Sequence, residues 1–99
     1  MEEIYILNGH IPEPIEDVIE WGRWFENANR HVALTQVDRL QVSTVFLGLD
    51  HSFGGEIPIL FETMIFGGEE EYQERYATWE QAEAGHKKAV QFARLKEIK

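Results

Sequence analysis

The chain has 99 residues, 9 of them basic and 18 acidic, for a formal charge of -9, with 43% hydrophobic residues and no cysteine. That surplus of carboxylates disfavours nucleic acid and anionic membrane surfaces as partners, since both need Lys and Arg. The missing thiols exclude disulfides, thiolate metal sites and Cys nucleophiles. One domain over residues 1–99 is expected, with no cofactor and no metal. No apolar run approaches the roughly 20 residues of a membrane span. The opening MEEIYIL is acidic where a signal peptide is basic, so a cytoplasmic location is expected.

Residues 2–8 are strand-prone and Gly9 ends them. His10 to Pro14 holds two prolines and is expected to be irregular. Pro14 suits a helix's first turn, with Glu13, Glu16 and Asp17 near the positive end of its dipole, so a first helix is expected over 14–28. Its apolar stripe would be Ile15, Val18, Ile19, Gly22 and Phe25, widened by Trp21 and Trp24. Strands are expected at 31–37, 40–49 and 57–66, joined by an Asp38-Arg39 turn and a loop at 50–56. Residues 69–74 read as an acidic connector. Thr78 and Gln81 have capping-box spacing. Trp79, Ala82, His86, Ala89, Val90 and Ala93 then form a helical stripe, and Lys87, Lys88, Arg94, Lys96 and Lys99 favour the C-terminal end of the dipole. The second helix is expected at 78–97.

The fold class is therefore α+β. A three-stranded antiparallel meander, with the N-terminal strand as a candidate fourth, packs with two helices in the order β-α-β-β-β-α. Both faces of the long strands carry apolar residues: Val42, Thr44 and Phe46 oppose Val45, Leu47 and Leu49. Two helices barely cover two faces, so a homo-oligomer is expected.

Asp50, His51, Glu62, Arg75 and His86 are the candidate binding residues; none is assigned as catalytic. Carboxylates and imidazoles can bind metals or move protons. Their spacing opposes one shared shell. With 51–56 as the loop, Val45 pairs with Glu62, which leaves Glu62 roughly 15–20 Å along the strand from His51. Asp50-His51 also reads as a loop cap held by Asx-type hydrogen bonds. Glu62, between Phe61 and Thr63, needs a partner, and Arg75 and His86 both qualify. Gly85 lies mid-helix beside the stripe, which suggests the close approach of another backbone. The pairs Gly54-Gly55 and Gly67-Gly68 read as turns, and the three tryptophans as core.

The runs VSTVFLGLDHSFGG, ILFETMIFGG and ERYATWEQAEAGH, within residues 42–86, resemble a family of small uncharacterised proteins of tailed bacteriophages and prophages. That resemblance implies a phage accessory protein acting in bacterial cytoplasm and assigns no role to any residue. The expected function is non-enzymatic: counteracting host defence by binding a host protein or sequestering a small molecule. Two alternatives stand beside it. One is a small hydrolase using Glu62 and His86, with Asp50 and His51 from a neighbouring subunit. The other is a minor phage structural protein.

Overall fold

A computed structural model describes residues 3–69 and 71–97. Glu2, Glu70 and Lys99, named above in a strand, in the connector and among the cations at the C-terminal end of the second helix, lie outside the described residues. The elements are β1 (Ile4–Asn8), β2 (Ile11–Ile15), α1 (Val18–Asn27), β3 (His31–Val37), β4 (Leu40–Phe46), β5 (Phe61–Phe66), β6 (Gln73–Tyr76) and α2 (Trp79–Glu97). β3, β4, β5 and β6 form one antiparallel sheet in that order, and β1 and β2 form a separate hairpin. The α+β class and the antiparallel meander stand, and β2 and β6 are added to the expected order.

β2 corrects the reading of His10 to Pro14 as irregular. Its prolines are two residues apart and face Leu7 and Tyr5, while Ile11 closes the turn opposite Asn8. The closing pair of a two-residue hairpin is hydrogen-bonded, so alternate residues, including Pro12 and Pro14, turn their missing N–H groups outward. On an outer strand that costs no ladder bond. With Pro14 in β2, α1 starts later than expected. Asp17 caps it, accepting from the backbone N–H of Ile19 at 3.0 Å and of Glu20 at 3.2 Å. The expected stripe is also shifted. Val18 and Ile19 are 62% and 65% exposed, whereas Trp24 meets Phe46 edge-on at 5.9 Å and Trp21 Nε1 donates to the Tyr5 carbonyl at 3.0 Å. Packing against β1 therefore uses the Trp21, Trp24 and Phe25 side of the helix.

The strands expected at 40–49 and 57–66 regularise only to Phe46 and from Phe61. Beyond them the chains still exchange bonds, Leu47 N–H to Leu60 O at 2.7 Å and His51 N–H to Ile59 O at 2.9 Å. The ladder breaks because Gly48 takes a positive φ of 79° beneath Phe25. β1 also docks there, with Tyr5 N–H on Gly48 O at 2.9 Å. The expected Val45–Glu62 register is present. The connector expected at 69–74 instead runs into β6, where Arg75 pairs with Glu62 and Gln73 with Met64.

α2 begins at the expected capping box. Gln81 N–H donates to Thr78 Oγ1 at 3.1 Å, and Thr78 N–H to Gln81 Oε1 at 3.3 Å. Ala82, His86, Ala89, Val90 and Ala93 are buried, and α2 covers one face of the four-stranded sheet. The core has two apolar parts. Val37, Leu40, Val42 and Ile65 meet Ala89, Val90 and Ala93 at one end. Phe46, Leu60, Phe61 and Ala82 gather at the other, flanked by Trp24, Tyr76 and Trp79. No helix among the described residues is long and apolar enough to cross a membrane.

Candidate functional site

Between the two apolar parts lies a band of polar side chains that crosses the sheet. Thr44 and Thr63 are fully buried on neighbouring strands, and His86, 5% exposed, reaches down to them from α2. His86 Nδ1 lies 2.7 Å from Thr44 Oγ1 and Nε2 lies 2.8 Å from Thr35 Oγ1. Thr44 and Thr63 hydroxyls are 2.5 Å apart, and the Tyr76 hydroxyl donates to Thr63 at 3.2 Å. Each hydroxyl has one proton to give, and a neutral imidazole has one donor and one acceptor. One direction satisfies every member. Tyr76 donates to Thr63, Thr63 to Thr44, Thr44 to Nδ1, and Nε2–H to Thr35. Burial pushes the His86 pKa down, which favours this neutral ring, and burial raises that of Tyr76.

The band explains Gly85. A Cβ there would collide with the Tyr76 ring, so the close neighbour is a side chain rather than the backbone expected from sequence. Thr35, Thr44, Thr63 and Tyr76 were absent from the candidate residues. One signal was present: Thr44 shares a strand face with Val42 and Phe46, and a hydroxyl on an apolar face needs a partner.

Glu62 occupies the opposite, uncovered face of the sheet, so it does not meet His86. Its Oε2 accepts from Arg75 Nε at 3.0 Å and Gln73 Nε2 at 2.7 Å. The pair is directly cross-strand, and the Arg75 side chain is 36% exposed against 12% for Glu62. Such partly hydrated pairs contribute about 0.2–1 kcal/mol. Glu62→Gln should therefore cost less than about 1 kcal/mol in urea unfolding; a loss near 3–5 kcal/mol would mark a desolvated pair.

Asp50 organises the loop after β4. Its Oδ1 accepts from Ser52 N–H at 2.8 Å and Ile59 N–H at 3.0 Å, and its Oδ2 from the Ser52 hydroxyl at 2.9 Å. Burial works to raise the Asp50 pKa. The backbone N–H groups of Ile59 and Ser52, then the Ser52 hydroxyl and His51, outweigh it and hold the carboxyl below its usual range. His51 Nδ1–H donates to the Leu49 carbonyl at 2.8 Å. At the loop's tip Phe53 has a φ of +56° and is 89% exposed. A bulky residue at positive φ is strained, and nothing in its sequence neighbourhood singled it out. A cavity of about 360 Å³ opens beside it, lined by Glu3, Leu49, Asp50, His51 and Phe53.

The five candidate residues thus fall at three places: His86 under α2, Glu62 and Arg75 on the open face, and Asp50 and His51 in the loop. Among the described residues no three His, Asp or Glu side chains gather as a metal site. No protein-family model, curated protein or solved structure matches the chain.

Proposed function

We propose that this is a non-enzymatic phage accessory protein that acts in the bacterial cytoplasm, binding a host protein to counteract defence. One observation carries the reading: a loop braced by three hydrogen bonds to Asp50 presents a strained, almost fully exposed Phe53. Aromatic residues, Phe among them, are enriched at protein interfaces relative to the rest of the surface. The resemblance of residues 42–86 to small tailed-phage proteins supports the origin. The separation of Glu62, His86 and Asp50 supports binding over hydrolysis within one chain. The cavity beside His51 favours a second reading, sequestration of a small molecule.

The test is a rescue assay in bacteria carrying individual defence systems and challenged with phage. The wild-type protein should restore plaque numbers against one system. Phe53→Ala should lose most of that rescue with an unchanged melting temperature, since the residue is 89% exposed. Full rescue by Phe53→Ala, or no rescue by the wild type, would refute the reading.

A further inference from the structure

We propose that Asn8 is a site of self-modification, where the backbone nitrogen of Gly9 displaces the side-chain amide and leaves aspartate or isoaspartate at the tip of the β1–β2 hairpin. Asn8-Gly9 is the single Asn-Gly step in the chain; the other asparagines, Asn27 and Asn29, precede Ala28 and Arg30. Asn8 closes the hairpin opposite Ile11, and both Asn8 and Gly9 are exposed. Gly9 has a φ of 64° and His10 has no positive φ, the type II′ pattern with glycine first. In a two-residue hairpin the N–H of that glycine takes no ladder bond. A Cβ built on Gly9 meets nothing within 4 Å, so the space around the attacking group is open. The other two asparagines are held within or beside α1. Asn27 Nδ2 donates to the Arg23 carbonyl at 2.8 Å, and Asn29 Oδ1 accepts from His31 N–H at 3.1 Å. Each is followed by a residue whose side chain crowds the backbone nitrogen.

Water is the only co-reactant. Gly9 N loses its proton to solvent, attacks Asn8 Cγ and forms the Cγ–N bond of a succinimide ring. The Cγ–Nδ2 bond breaks, and ammonia leaves with a proton taken from water. A second water then opens the ring at Cγ to give aspartate, or at the main-chain carbonyl to give isoaspartate. Ring closure needs the backbone at Asn8 to rotate out of the extended strand. β1 and β2 form a separate two-stranded sheet, and a ribbon of that size is marginally stable alone, so its tip opens locally. The product differs from the native tip in two ways. Asn8 Nδ2 donates to Glu13 Oε2 at 3.1 Å, whereas a carboxylate at position 8 has no proton to give and repels Glu13. Isoaspartate also lengthens the main chain by one carbon at the pair that closes the ladder. Next to it, His10 stacks on Trp79 at 3.8 Å with planes 6° apart, a contact that ties the tip to α2. Modification therefore loosens the hairpin from α2.

The test incubates the folded protein in mildly alkaline buffer at body temperature and reads its tryptic peptides by mass spectrometry. Asn8 is the one side-chain amide in peptide 1–23, while Asn27 and Asn29 both lie in peptide 24–30. Peptide 1–23 should gain the mass difference between amide and acid, in a share several times that of peptide 24–30. Asn8→Gln, whose longer side chain must close a larger ring, should leave peptide 1–23 unchanged over the same time. Asn8→Asp, at an exposed position, reproduces the product charge in a folded chain. Its β1 and β2 amides should exchange hydrogen several times faster than those of the wild type, with the C-terminal half of α2 unaffected. An unmodified peptide 1–23, an equal gain in peptide 24–30, or wild-type exchange of the hairpin in Asn8→Asp would each overturn the inference.

Discussion

His86→Ala should lose about 3–5 kcal/mol of folding stability. Truncating a large buried ring leaves a cavity of the kind that costs this much for Phe. It also strips Thr44 of its acceptor and Thr35 of its donor, and a buried polar group left unpaired costs about 1–3 kcal/mol. A domain of this size has about 5–15 kcal/mol in total, so urea unfolding will show the loss clearly. A loss below about 1 kcal/mol would mean that the band does not hold α2 on the sheet. Combining His86→Leu with Thr44→Val should recover little of the deficit, because the Thr63 hydroxyl then loses its own acceptor and Thr35 stays without a donor. The pH dependence has a definite sign. The unfolded chain takes up a proton at His86 below about pH 6.5, while the folded ring resists it because burial lowers its pKa. Stability due to this group is therefore present above pH 6.5 and declines as pH falls towards the folded value, by at most about 1.4 kcal/mol per pH unit. His86→Leu should flatten that part of the curve.

Phe61→Ala should cost a similar amount, about 3–5 kcal/mol, for a purely apolar reason. The ring is fully buried on β5, 5.3 Å from Phe46 and edge-on to Trp79 at 6.2 Å. It joins the sheet to the first turn of α2. Phe66, on the same strand but the uncovered face and 47% exposed, is the internal control. Phe66→Ala should change stability by no more than about 0.5 kcal/mol. Equal losses at the two positions would mean that the second face is packed as tightly as the first.

Much of this fold is visible in the residues themselves. Loop length and strand parity give the Val45–Glu62 register, because a slip by one residue would turn Phe46 and Phe61 out of the core. The box at Thr78 and the small-residue stripe give α2. β2 escapes because each proline reads alone as a breaker; only their two-residue spacing, with an outer edge to face, makes them compatible with a strand. β6 escapes because Gln-Glu-Arg-Tyr is too short and polar to show a period. Among the candidate residues, the Glu62–Arg75 pair and the Asp50 cap follow from local chemistry. The His86 band does not. Its members lie up to 51 positions apart, and only the folded sheet sets Thr35, Thr44, Thr63 and Tyr76 on successive strands.

The prolines of β2 also bear on how the protein behaves when crowded. Seeded fibres grow when an extended strand offers an unbroken row of donors to the next molecule. Pro12 and Pro14 interrupt that row on the outer side of the hairpin, so this edge is a poor seed. An expression strain accumulating the protein should hold it in clear lysate rather than inclusion bodies. Replacing both prolines with threonine would restore the donors without disturbing β1, and should bring on thioflavin-positive aggregates.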